Sequence, residues 1–213
     1  LIRQPWHQTT EEYGIDIFLT MNSILGEFRT CETGLGAKRH KPSAPKLGPM
    51  FVQVVGTAFL TVLRSFDYWR NLNVIEQPPL YGLRNLEAPQ ELTIDRSSIE
   101  QKALDGFSEH RDLLKASLAP EGFDDLAKMY DNRRIDISPS LWATVVYDMI
   151  AAFKNAPDRN RLVESMKGLY FGRALSFMNK TWEWSTEKAE EEILAQAQLF
   201  HDLRGYLVER LEQ

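Results

Sequence analysis

The sequence predicts a mainly α protein, with a short stretch of mixed structure ahead of a long helical region. Three observations predict it. Ile15 to Leu25 is apolar on most faces and long enough for a buried helix. Val54, Ala58, Val62 and Phe66 recur four apart, as one stripe of a helix would. Ser138-Pro139 then opens the nearly all-apolar run Leu141 to Phe153, with serine placed to cap and proline at the first helical position.

Taken in order, Gly26 ends the first helix. Phe28 to Thr33 alternates weakly and reads as a short strand. Gly34 to Pro49 is a loop punctuated by Gly34, Gly36, Pro42, Pro45, Gly48 and Pro49. Met50 to Leu72 is a single long helix, and Val74 to Pro89 is a linker. A polar amphipathic helix runs from Ser97 or Ser98 to about Leu118. In the helix after Ser138, Trp142, Val146, Met149 and Ile150 are expected in the core. Asp158 caps another helix, in which Gly168 and Gly172 lie one turn apart and allow a neighbouring backbone close. The last helix spans about Thr186 to Leu211, with Glu187, Glu190, Glu191 and Glu192 early, where the helix dipole favours anions. Residues 1–45 and 46–213 are the two expected domains.

The chain has 213 residues, a formal charge of −5 and 43% hydrophobic residues. Its pI near 5.5 speaks against a nucleic-acid footprint. Cys31 is the one cysteine and has no internal partner, so a reducing, cytoplasmic setting is expected. No apolar run is long enough for a membrane span. The chain starts at Leu1 rather than Met, and a piece of a longer or processed protein is expected.

His40 is the sharpest chemical candidate. Imidazole is a common ligand for divalent metals, and here it lies in a Gly- and Pro-rich loop. One histidine is not a metal site, and a loop histidine with no role fits the same residues. Lys38, Arg39 and Lys41 flank it; such a loop suits a pyrophosphate and equally suits a solvated charge run. Asp16 either caps the first helix or faces a polar ligand from its start. His7, His110 and His201 read as solvated. Arg173 reads as the partner of a core carboxylate, and the five Trp residues read as core, with a sugar platform as the alternative. There is no Gly-x-Gly-x-x-Gly, Walker loop, Gly-x-Ser-x-Gly, Cys-x-x-Cys, His-Glu-x-x-His or Asp-x-Asp.

Three runs carry a resemblance: Tyr13-Gly14-Ile15-Asp16, Leu35-Gly36-Ala37-Lys38-Arg39-His40-Lys41-Pro42, and Leu47-Gly48-Pro49-Met50-Phe51-Val52-Gln53-Val54-Val55. Together they resemble retaining GT-A glycosyltransferases of the mannosylglycerate synthase and glucosyl-3-phosphoglycerate synthase type, and Gly168 to Arg173 looks like that family's helical C-terminal part. The resemblance implies the end of a GT-A α/β catalytic domain followed by an α-helical domain. It implies hexose transfer from a nucleoside diphosphate sugar to a hydroxyl, with a small hydroxy acid such as glycerate or its phosphate, or a glycan, as acceptor. A divalent metal, Mg2+ or Mn2+, is implied with it. His40 matches the metal-binding histidine, Asp16 the acidic residue that contacts donor sugar or acceptor, and Lys41, with Arg39 and Lys38 beside it, approaches the diphosphate.

There are two departures. The family's nucleotide-binding half with its Asp-x-Asp-like motif has no counterpart in these residues, so the chain by itself is expected to be inactive. The family's Gly-Gly-[Asp/Glu] segment is also missing, since Gln4-Pro5 runs straight into Trp6. The alternative is a non-catalytic helical interaction or oligomerisation domain. That would account for residues 46–213 but leave the His40 loop unexplained.

Overall fold

A computed structural model describes residues 4, 6–34, 47–72, 78–82 and 94–213. The described residues are mainly helical, and the chain forms two compact units, Leu1–Ile94 and Asp95–Gln213. The helix beginning at Leu47 packs within the first unit.

In the first unit, a 3-10 turn at Gln8–Thr10 leads to α1 (Ile15–Leu25), which packs on α2 (Leu47–Arg64). The strand expected over Phe28 to Thr33 shrinks to β1 (Glu32–Thr33), paired in parallel with β2 (Leu80–Tyr81). All four of these strand residues are exposed, so no core holds a longer ladder. The single helix expected over 50–72 breaks at Ser65 and resumes as α3 (Phe66–Trp69). Ser65 Oγ donates to the Thr61 carbonyl at 2.7 Å, a back-bond that bends helices. The buried stripe of α2 also differs from the expected one. Val54, Ala58 and Val62 are half-buried, as is Phe66 in α3, while Phe51, Thr57, Phe59, Leu60 and Thr61 are buried. The small residues Gly56 and Thr57 take the 3-10 turn against α2, and this rotates the contact face.

The second unit contains α4 (Arg96–Glu109), α5 (Arg111–Ser117), α6 (Pro120–Asp131), α7 (Pro139–Asn155), α8 (Arg159–Thr181), α9 (Thr186–Asp202) and α10 (Arg204–Glu212). Ser138 and Asp158 cap α7 and α8 as expected, accepting from the Leu141 and Arg161 N–H groups. Asp95, rather than a serine, caps α4. The expected helix from 97 to 118 breaks at His110, and the expected last helix breaks at Leu203. α6 has no counterpart in the sequence reading. Its N-cap, Ala119, has no capping side chain of its own, and the Ala119 N–H instead donates to Asp148 Oδ2 on α7 at 2.8 Å.

The closest helix contact is α4 on α8, where two glycines meet. A Cβ on Gly168 would lie 2.5 Å from the Phe107 nitrogen, and one on Gly106 would lie 2.9 Å from the Gly168 Cα. Phe107 is buried beside this contact and stacks on Tyr130 with ring centroids 4.2 Å apart. Met149 and Ile150 are buried as expected, but Trp142 and Val146 are only half-buried. None of the five Trp residues is buried. Trp6 and Trp182 are exposed, and Trp69, Trp142 and Trp184 are half-buried. Indole is large and seldom becomes fully buried. Arg173 is buried as expected, but its partners are neutral: it donates to Gln196 Oε1 at 3.1 Å and to the Ile137 carbonyl at 3.4 Å. Burial pushes its pKa down, while Glu192 and Asp136 act in the opposite sense.

The glycine contact gives a direct test. Gly168→Ala should cost about 1–3 kcal/mol by overpacking. Gly205→Ala, whose Cβ would meet nothing within 4 Å, should instead stabilise by about 0.5–1 kcal/mol. Urea unfolding of the two variants checks both signs.

A second test concerns alkaline pH. Burial pushes Tyr147 up to about 12; burial, together with its bond to Asp148, pushes Tyr206 up to about 12. Burial also raises Tyr130. An unfolded tyrosine loses its proton near pH ~10 while these still hold theirs. Above that pH the unfolded chain binds fewer protons, so stability should fall as pH rises. Unfolding free energies measured across this range should decline, and the decline should be shallower in Tyr147→Phe/Tyr206→Phe.

Candidate functional site

The candidate site is the turn that opens α1. The N-cap of α1 is Gly14, whose backbone is already helical, and no side chain caps the helix. Asp16 is therefore not a cap. It lies in the first turn of α1 and is exposed, where the positive end of the helix favours a carboxylate.

The turn is clamped from two sides. The Tyr13 N–H donates to Gln53 Oε1 of α2 at 2.8 Å, and Gln53 Nε2 donates to Glu12 Oε2 at 2.8 Å. The Thr57 hydroxyl donates to Thr9 Oγ1 at 2.8 Å, and Thr9 Oγ1 lies 2.9 Å from His7 Nδ1. His7 is thus not solvated: its Nδ1 accepts from the Thr9 N–H and caps the 3-10 turn. Position 14 must be glycine for this arrangement, because a Cβ there would sit 2.0 Å from the Thr9 carbonyl oxygen and 2.3 Å from Thr57 Oγ1. The motif glycine is a packing requirement before it is anything else.

The structure brings together two of the runs singled out in the sequence, Tyr13 to Asp16 and Leu47 to Val55. The third run lies outside the described residues: His40, Lys38, Arg39 and Lys41 all fall there. A cavity of about 130 Å³ lies on α1 and α2, lined by Phe18, Asn22, Thr61 and Ser65 among others, and Asp16 is not part of it. Of the remaining histidines, His110 is half-buried. His201 is half-buried too, with a buried Nε2 that finds no hydrogen-bond partner among the described residues. Among the described residues no three metal-ligating side chains converge. No described helix is long and apolar enough to cross a membrane.

Gln53 and Thr57 are the functional-site residues that the sequence analysis missed. Their signal is slight: two polar side chains, four apart, in a mostly apolar helix. Comparison with protein-family models, with curated proteins and with solved structures finds no match for this chain.

The clamp predicts a local effect. Gln53→Ala leaves the Tyr13 N–H without its acceptor, a loss of about 1–3 kcal/mol in local stability. The Tyr13 amide should exchange its hydrogen at least about fivefold faster, with amides in the middle of α2 unchanged.

Proposed function

We propose that this chain is the C-terminal portion of a metal-dependent retaining glycosyltransferase. It would transfer a hexose from a nucleoside diphosphate sugar to a hydroxyl, with glycerate or phosphoglycerate as the acceptor suggested by analogy. One observation supports this above the rest: the exposed carboxylate of Asp16 is held on a turn fixed by Gln53 and Thr57, so two separate runs of the resemblance form one packed unit. A carboxylate positioned on a rigid turn can accept a hydrogen bond from a sugar or acceptor hydroxyl and orient it. The basic residues Lys38, Arg39 and Lys41 are assigned to the diphosphate, whose charge they would offset. His40 is assigned to a divalent cation, which when bound would supply further neutralisation of the departing diphosphate. A second reading, a non-catalytic helical interaction or oligomerisation domain, draws on the exposed Ile193 and Leu194 of α9. It offers no account of the clamped Asp16 turn.

The test is made in a protein that joins this chain to a nucleotide-binding half. His40→Ala should abolish or greatly reduce turnover and lower metal affinity while leaving thermal stability almost unchanged. Asp16→Asn should lower turnover and retain the metal. Because neutral imidazole is the form that binds metal, activity should fall as pH drops through the histidine range, near ~6.5 for an unperturbed group. Wild-type turnover and metal content in His40→Ala would overturn the assignment.

A further inference from the structure

We propose that the second unit binds a small phosphorylated molecule in a cavity of about 380 Å³, recognising its phosphate through Arg96, Arg133 and Arg134. The site lies wholly within residues 95–213 and stands independently of the transferase reading.

Three arginines from two segments line this one cavity. Arg96 lies in the first turn of α4, and Arg133 and Arg134 follow the end of α6. Other arginines of the unit have their partners close at hand. Arg111 holds Asp131 in a bidentate pair at 2.7 and 2.8 Å, Arg210 holds Asp148, and Arg173 holds Gln196. Among the described residues, Arg96, Arg133 and Arg134 form no ion pair. The three guanidiniums outnumber the two carboxylates, Glu100 and Asp136, that line the same cavity, so an added anion lowers the repulsion that remains. A phosphate matches the planar fork of guanidinium donors better than a halide does.

Trp182 holds one donor in place, while Arg133 and Arg134 are exposed in the turn that closes α6. The Arg96 guanidinium stacks on the Trp182 ring, its Cζ 3.6 Å from the ring centroid, which leaves its N–H edges for a ligand. Arg133 has φ +51°, a left-handed conformation that costs a residue with a Cβ about 1 kcal/mol or more and that glycine usually fills at a helix end. Ser97 and Asn179 add a hydroxyl and an amide to the wall.

Glu100 and Asp136 line the same cavity. The Asp136 charge also acts on the buried Arg173. Two carboxylates beside three guanidiniums disfavour a long polyanion and suit a phosphate ester that carries hydroxyls, since each carboxylate can accept from one. The volume falls in the small-molecule range of roughly 300–1,000 Å³.

Calorimetric titration of the full chain with inorganic phosphate and with ribose 5-phosphate, at constant ionic strength in sodium chloride, tests this. Saturable binding of at least one of the two probes is expected, with a Kd of about 1 mM or tighter, and ribose should give none. Binding should weaken about tenfold or more in Arg134→Gln and in Arg133→Gly. Arg133→Gly keeps the left-handed backbone at no steric cost, so its loss cannot be assigned to misfolding. No saturable binding of either probe, or unchanged affinity in both variants, would overturn the proposal. So would a single-stranded oligonucleotide that binds more tightly than ribose 5-phosphate.

Discussion

Asp148 is 2% exposed in the middle of α7, and the hydrogen bonds it accepts come from separate parts of the second unit. The Ala119 N–H at the head of α6 reaches Oδ2, while the Tyr206 hydroxyl and Arg210 Nε on α10 reach Oδ1, at 2.6 and 2.9 Å. A carboxylate taken out of water is tolerated only when donors replace the lost hydration. Burying Asp148 therefore requires α6 to begin where it does and α10 to return alongside α7. The capping donor, the tyrosine and the arginine are not independent features; each answers the same buried charge.

The α4 and α8 contact supplies the complementary constraint. With glycine facing glycine, the two backbones come close enough for main-chain atoms to touch, and the surrounding aromatic side chains close over the contact. Phe107, Tyr130 and Phe123 form a continuous stack beside it. The Tyr130 hydroxyl donates to the Gly168 carbonyl at 2.9 Å, a bond that ties α6 to α8. Because α6 is held on both sides, its end is fixed too, and the turn carrying Arg133 and Arg134 is placed beside the first turn of α4.

In the first unit the corresponding constraint is polar. The 3-10 turn and the start of α1 are joined to α2 through Thr9, Thr57, Tyr13 and Gln53. Such contacts fix geometry more than they supply stability, since each hydrogen bond adds only about 1 kcal/mol net. The turn they fix carries the exposed Asp16.

The sequence by itself determined the helical class and the local starts of helices. Ser138-Pro139 and Asp158 are complete signals, because cap and helix lie within a few residues of each other. Gly168 was also legible as a close-approach position, since only the absence of a Cβ explains glycine there. The tertiary structure decided what depends on distant partners. α6 begins on a carboxylate 29 residues away. The buried face of α2 follows Thr57 and its contact with Thr9, 48 residues away, rather than the most apolar stripe. Arg173 settles on neutral oxygens because Gln196 and the Ile137 carbonyl reach it where, among the described residues, no carboxylate does. Asp16 was legible as a candidate from its place at a helix start, but that it does not cap, and that Gln53 and Thr57 hold its turn, are contacts across the fold, which local sequence does not encode.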